Sequence, residues 1–144
     1  VGAHFLNFVI GVLGIPQALT GFVSKFGATQ LEIILVLVIF YLILGCFMET
    51  LSMMIATLPV VFPLVVHLGI DPVWFGIFLV LMMEIGLITP PIGMNLYVVQ
   101  GVRNQGSIMD VIYGSLPFVL LMLAFTGLLV AWPQMALWLP QKLF

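Results

Sequence analysis

Charged residues are scarce in this sequence. Three basic and five acidic side chains are spread over 144 residues, so 6% of the chain is charged, whereas about a quarter of an ordinary soluble domain is charged. The basic residues Lys25, Arg103 and Lys142 stand far apart, which excludes a positive patch for nucleic acid. Together with 64% hydrophobic residues, this scarcity indicates an integral membrane protein that contacts the lipid bilayer.

Cysteines and catalytic motifs are also lacking. Cys46 is the single cysteine, so it cannot form an intrachain disulfide, and it matches no metal-ligand spacing. The sequence contains no nucleophile elbow, zinc-binding histidine pair or phosphate-binding loop. Ser52 and His67 could serve as nucleophile and base of an intramembrane enzyme, but their spacing does not support such a pair. We therefore predict no catalytic residue, no organic cofactor and no enzyme activity. The sequence starts at Val1 without the basic region of a signal peptide, and we expect part of a longer chain.

Long apolar runs are abundant, and the most informative of them is interrupted. Between residues 73 and 102 the only charged side chain is Glu84, and about 20 apolar residues are enough to cross a bilayer. However, Pro91 has no N–H and Pro90 precedes a proline, which excludes one continuous helix. Lipid cannot satisfy the backbone groups that are freed at this break, so the break predicts a protected polar site.

Residues 31–68 form a second long apolar run. As a single helix they would measure roughly 57 Å, nearly twice the ~30 Å hydrocarbon core, so the chain must turn. The only polar cluster inside the run lies at residues 45–52. One interpretation is two short transmembrane helices joined at the membrane surface. The other is a re-entrant hairpin whose arms, residues 33–44 and 53–68, enter the membrane and return to the same side. The residues alone leave both open.

The remaining segments complete an all-α, polytopic transmembrane prediction. Asp71 and Pro72 are typical of the start of a helix, and Ser107 or Asp110 can cap the last one. Residues 24–30 are expected to form a polar turn at one membrane surface. The predicted segments are a broken N-terminal helix and turn (1–30), the hairpin (31–68), a discontinuous helix (72–102), a final transmembrane helix (110–132) and an aromatic interfacial tail (133–144).

Polar side chains near the two interruptions are candidate ligands. Glu49 and Glu84 are acids within apolar runs, where a charge is costly unless it is paired or functional. Either could instead lie near a helix end and reach water or a backbone partner. Uncharged oxygen atoms, which suit Na⁺ when they are combined with unwound carbonyls, are offered by Thr50, Ser52, Thr89 and Asn95. For a lone threonine, a hydrogen bond back to its own helix is the more common alternative.

Several spaced motifs follow one another in a recognisable order. Together they resemble the large membrane subunit (DctM-type) of TRAP (tripartite ATP-independent periplasmic) transporters, over nearly the whole chain. The motifs are Gly45-Cys46-Phe47-Met48-Glu49-Thr50, Pro59 with Pro63, Gly69-Ile70-Asp71-Pro72 with Phe75-Gly76, Gly86-Leu87-Ile88-Thr89-Pro90-Pro91-Ile92-Gly93-Met94-Asn95-Leu96, Gly101, Pro117 and Trp138-Leu139-Pro140.

The resemblance implies an elevator-type secondary transporter built from two inverted repeats, of which this chain is the second, C-terminal one. It favours the re-entrant hairpin and implies a Na⁺ site shared by the hairpin tip and the broken helix, with no other metal. The implied Na⁺ ligands are the backbone of Gly45, Gly86 and Ile92 together with Thr89, and the implied substrate contacts are Thr50 and Asn95. Two features depart from the family: the first repeat with its own hairpin is absent, and Glu84 stands where relatives carry small or polar residues.

The implied function is Na⁺-coupled uptake of an organic acid, of the C4-dicarboxylate or sialic acid class, across the bacterial inner membrane. The implied partners are a small TRAP membrane subunit and a periplasmic binding protein that delivers the substrate. The resemblance also places the hairpin opening toward the periplasm and Arg103 on the cytoplasmic side. Two alternatives remain, another ion-coupled carboxylate carrier of the elevator type and a channel subunit, although no polar path follows one face of the first or last helix.

Overall fold

The chain folds into helices joined by short connections. The computed structural model describes residues 2–27, 29–103 and 105–143, in which no strand occurs, so the all-α prediction is confirmed. The helices are α1 (Gly2–Val12), α2 (Ile15–Phe26), α3 (Gln30–Gly45), α4 (Thr50–His67), α5 (Pro72–Leu87), α6 (Met94–Arg103), α7 (Ile108–Ala131) and α8 (Gln134–Leu143).

Helix α5 lies at the centre of the bundle. It packs against α3, α4, α7 and α8 and contributes many of the buried side chains. The ring of Trp74 stacks on that of Phe78 with centroids 5.5 Å apart, and its indole N–H donates to the carbonyl of Leu129 in α7 at 3.2 Å. Trp74 therefore joins the start of α5 to the end of α7.

The run of residues 31–68 forms two helices, α3 and α4, with a turn at residues 46–49. The hydroxyls of Tyr41 and Thr57, one from each helix, lie 3.0 Å apart in the core. Because the Thr57 hydroxyl donates to the carbonyl of Met53 at 2.8 Å, the Tyr41 hydroxyl is the donor between the two helices. Pro59 and Pro63 lie inside α4 without ending it.

Two of the helices that the structure describes, α4 and α7, are long and apolar enough to cross a membrane by length and composition. Helices α3 and α5 are apolar but shorter. Asp71 caps α5 by accepting hydrogen bonds from two backbone N–H groups, with Pro72 at the first helical position. Ser107 and Asp110, which the sequence offers as alternative caps, together form a capping box at the start of α7.

Both ends of the chain are more helical than the sequence suggests. Helix α2 continues to Phe26, so it includes the start of the expected polar turn at residues 24–30. The expected tail at residues 133–144 is mostly helix α8, because Ala136 and Leu137 pack against the hydrophobic core and this packing favours the helix despite Pro140. The Lys142 ammonium lies 5.0 Å from the ring centroid of Trp138 on this helix.

Candidate functional site

The tip of the α3–α4 hairpin meets the break between α5 and α6. The contact is made by two glycines, Gly45 at the end of α3 and Gly86 near the end of α5. A Cβ atom added to Gly86 would lie 2.6 Å from the Cα of Gly45, and one added to Gly45 would lie 2.8 Å from the Cα of Gly86. Only glycine at both positions allows the two backbones to approach this closely.

The break follows directly from the two prolines. In a continuous helix, the carbonyl of Leu87 would accept a hydrogen bond from the N–H of residue 91, but Pro90 and Pro91 have no N–H. Helix α5 therefore ends at Leu87, and α6 begins at Met94. Between them, Gly93 adopts a positive φ of 35°, and a Cβ there would lie 2.9 Å from the carbonyl oxygen of Thr89.

A second contact joins the hairpin tip to the break. The Cys46 thiol donates to the carbonyl of Pro90 across 3.1 Å. Although Cys46 is 44 residues away from Pro90 in sequence, it is buried between the two elements. The thiol thus has a structural role at the junction, where it satisfies one of the carbonyls of the break.

A small cavity lies at this junction. Its volume is about 20 Å³, enough for a single water-sized occupant. The carbonyls of Gly45, Leu87 and Ile92 accept no hydrogen bond from the residues that the structure describes, and all three residues belong to the lining. The lining consists of Gly45, Cys46, Phe47, Met48, Leu87, Ile92 and Met94. Free carbonyl dipoles in otherwise apolar surroundings favour a small cation.

The other two predicted Na⁺ ligands, Gly86 and Thr89, are not among the residues that line this cavity. Gly86 packs directly on Gly45. Thr89 is half-buried, and its hydroxyl donates to the carbonyl of Ile85 at 2.5 Å, the back-bond that is common for threonine in helices. Because this bond uses the hydrogen of the hydroxyl, the oxygen lone pairs of Thr89 remain available as acceptors.

The two predicted substrate contacts occupy different places. Thr50 is the first residue of α4, directly after the hairpin tip. Asn95 is exposed at the start of α6 and lines a cleft of about 300 Å³ between α6 and α7, together with Arg103, Ser115 and others. The Arg103 guanidinium lies 3.9 Å from the Asp110 carboxylate at the start of α7.

The structure gives Glu49 a local role. Its carboxylate accepts hydrogen bonds from the backbone N–H groups of Ser52 at 2.5 Å and Leu51 at 3.1 Å, and from the Ser52 hydroxyl at 2.7 Å. Glu49 is therefore the N-cap of α4, the helix-end alternative that the sequence leaves open. Its negative charge also faces the positive end of the α4 dipole.

Sequence reasoning missed Leu87 as part of the site. The sequence contained a signal for Leu87, because Pro90 and Pro91 follow it by three and four residues. Neither proline has an N–H that could donate to the Leu87 carbonyl in a helix. The capping role of Glu49 also had a signal, because an acid three residues before a serine can accept from the first turn of a helix.

Replacing Glu49 with alanine is expected to fray the first turn of α4 and to lower the melting temperature by a few degrees, because three donors lose their acceptor. Glu49→Gln keeps one side-chain oxygen and should lower the melting temperature less. Asp71→Ala is the matched control, since Asp71 caps α5 in the same way but at the opposite end of the hairpin arms. Both alanine variants should melt at a lower temperature than the unchanged protein, and an unchanged melting temperature for Glu49→Ala would contradict its capping role.

Comparison with known proteins gives a consistent assignment. The family model described as "Tripartite ATP-independent periplasmic transporter, DctM component" matches residues 1–135. The C4-dicarboxylate TRAP transporter large permease protein DctM of Rhodobacter capsulatus is 39% identical over 141 residues, which cover 98% of this chain and 32% of that protein.

Relatives named for other substrates also match. The sialic acid TRAP transporter large permease protein SiaM of Vibrio cholerae is 32% identical over 141 residues, which cover 98% of this chain and 33% of that protein. The isethionate TRAP transporter permease protein DctMQ of Oleidesulfovibrio alaskensis is 39% identical over 110 residues, which cover 76% of this chain and 16% of that protein. The chain thus spans about a third of the length of the large permeases that it matches.

Proposed function

Because the chain belongs to the DctM family of tripartite ATP-independent periplasmic transporters, whose members are permease components and not enzymes, we propose that it is the second repeat of a large permease that takes up an organic acid with Na⁺. The complete permease would lie in the bacterial inner membrane. It would work with a small membrane subunit and a periplasmic binding protein. A C4-dicarboxylate is the first substrate to test, since the Rhodobacter capsulatus permease is named for it.

The cavity at the hairpin tip is the observation that carries the Na⁺ proposal. Its volume is about 20 Å³, and three of the residues that line it, Gly45, Leu87 and Ile92, have carbonyls that accept no hydrogen bond from the described residues. The Thr89 oxygen, beside the same break, is a further candidate ligand. Na⁺ prefers oxygen ligands of this kind, and neither lipid nor the local helices supply another partner for them.

The hairpin and the broken helix would then move as one unit during transport. The Gly45–Gly86 contact and the Cys46–Pro90 hydrogen bond join them directly. Na⁺ at the junction would offset the partial negative charge of the carbonyls, so that an anionic substrate can lie close by. Since Glu49 already caps α4, the start of α6 at Asn95 is the better place for the substrate carboxylate.

Uptake by the complete permease and its small subunit in proteoliposomes tests this function. Labelled succinate should enter only when the binding protein and an inward Na⁺ gradient are both present. Flux that needs neither component would favour a channel and would contradict the carrier. Flux that needs the binding protein but responds to a proton gradient in place of Na⁺ would support the transporter function. The same result would contradict the proposed Na⁺ site.

Replacing Thr89 with alanine tests the ligand set. We expect the Na⁺ concentration for half-maximal uptake to rise about tenfold, equivalent to about 1.4 kcal/mol, because one oxygen ligand is lost. Thr126→Ala is the matched control, since the Thr126 hydroxyl makes the same kind of back-bond, to Met122 at 2.9 Å, but lies in α7. If both variants keep the normal Na⁺ dependence, Thr89 is not a ligand. If both change it equally, the effect comes from the lost back-bond.

A further inference from the structure

Glu84 is an exposed carboxylate in the last turn of the apolar helix α5. It stands 12 residues after Pro72, at which α5 begins, so it lies about 18 Å along the helix from that end. The hydrocarbon core of a bilayer is ~30 Å thick, so a helix that enters it at the Pro72 end, as the proposed function requires, would carry Glu84 more than halfway across. The Glu84 carboxylate accepts no hydrogen bond within the part of the chain that the structure describes.

Glu84 belongs to a stripe of exposed residues on α5. Gly76, Val80 and Glu84 follow one another at intervals of four, so they share one face of the helix. Val80 is 58% exposed, and a Cβ added to Gly76 would meet no atom within 4 Å. Glu84 is about 200° around the helix from Gly86, the residue that contacts the hairpin. The stripe is therefore on the opposite side of α5 from the candidate Na⁺ site.

Lipid is an unsuitable partner for this stripe, because a carboxylate at this depth is costly unless it is paired or hydrated. A second copy of this chain is also a poor match. Its basic residues, Lys25, Arg103 and Lys142, belong to α2, α6 and α8 and not to the stripe, so two stripes that face each other would bring two carboxylates together. The related permeases are about three times as long as the matched region, so they have further membrane segments available.

We propose that the stripe Gly76, Val80 and Glu84 is the docking face for another transmembrane helix of the same permease, and that this helix presents a hydrogen-bond donor, cationic or amide, to Glu84. Gly76 lets the two backbones approach, since it has no side chain. The donor would pair with the Glu84 carboxylate away from lipid. This assignment rests on the family and on the membrane location in the proposed function, and it does not depend on Na⁺ coupling.

Substitutions of Glu84 distinguish a paired carboxylate from one in lipid by the sign of the change in melting temperature. In the complete permease in detergent, without Na⁺ or substrate, Glu84→Leu should lower the melting temperature by about 4 °C or more, because the donor loses its partner. Glu84→Gln is the matched variant of equal size. It should lower the melting temperature less, since its side chain still accepts a hydrogen bond. An equal or higher melting temperature for Glu84→Leu would overturn the proposal.

Thiol labelling gives a second readout that does not depend on how stable the leucine variant is. In the complete permease with its own cysteines, Cys46 among them, replaced by alanine, the thiol of Glu84→Cys should react with a membrane-impermeant reagent at least about tenfold more slowly than that of Val102→Cys, since Val102 is 80% exposed near the end of α6. Equally fast labelling would place Glu84 in an aqueous path and overturn the proposal.

Two further results would assign the stripe to a different occupant and would also overturn the proposal. One is destabilisation by Glu84→Leu only when the small subunit is present. The other is a change from dimer to monomer in this variant, which would indicate a second copy. Because none of these measurements uses transport, loss of Na⁺ coupling in the uptake assay and loss of the stripe interaction are separate outcomes.

Discussion

Replacing Gly86 with alanine is expected to separate the hairpin from the broken helix and to reduce uptake about tenfold or more. The added Cβ would lie 2.6 Å from the Cα and 3.0 Å from the carbonyl carbon of Gly45. These are backbone atoms, which cannot rotate away as a side chain can. Overpacking of this kind costs about 1–3 kcal/mol even where side chains give way, and here the two helices themselves must move.

Uptake and thermal unfolding of the complete permease measure this effect. Gly45→Ala should give a similar loss, since its Cβ would lie 2.8 Å from the Cα of Gly86. The double variant should lose less stability than the sum of the two single losses, because both methyl groups disturb one contact. Gly101→Ala is the matched control: it is a helical glycine with no atom within 4 Å of an added Cβ, so alanine should be neutral or slightly stabilising. Normal uptake by Gly86→Ala would show that the two backbones are not this close.

Replacing Trp74 with alanine is expected to give the largest loss of stability among these variants, about 3–5 kcal/mol. The side chain is 3% exposed, it stacks on Phe78, and its N–H donates to Leu129. Its removal leaves a cavity between α5 and α7, next to the chain segment that starts the broken helix.

Thermal or denaturant unfolding in detergent measures the loss, and two variants separate its parts. Trp74→Phe keeps an aromatic ring against Phe78 but removes the N–H, so it should lose the hydrogen bond, about 1 kcal/mol, together with part of the packing. Trp138→Ala is the control for a tryptophan that is 60% exposed on α8. A loss for Trp74→Ala no greater than that for Trp138→Ala would contradict the packing of α5 on α7.

The interruptions of the helices were readable from particular residues. Pro90 and Pro91 have no N–H, so a helix that reaches Leu87 cannot continue in any surroundings. Asp71, Pro72 and Ser107 are equally local signals, because a cap acts on the backbone a few residues away. The helical tail was not readable in this way, since α8 depends on the packing of Ala136 and Leu137 against residues distant in sequence.

The candidate site was only partly readable for the same reason. That Gly45 and Gly86 could share a site came from resemblance to a family, whereas the distance between them is a property of how α3 crosses α5. The contribution of Leu87 to the cavity and the bond from Cys46 to Pro90 also depend on that crossing. Asn95 stands close to the break in sequence, but the structure places it in the cleft beside α7. That location could not be derived from the sequence.

The sequence by itself determined that this is a helical membrane protein and where its helices break, because apolar composition and proline act on the backbone locally. Only the tertiary structure decided which breaks meet and that Glu84 lies on the side of α5 away from the hairpin. Those outcomes depend on crossing helices that bring together residues 40 or more positions apart, and no local rule of backbone chemistry sets such a crossing.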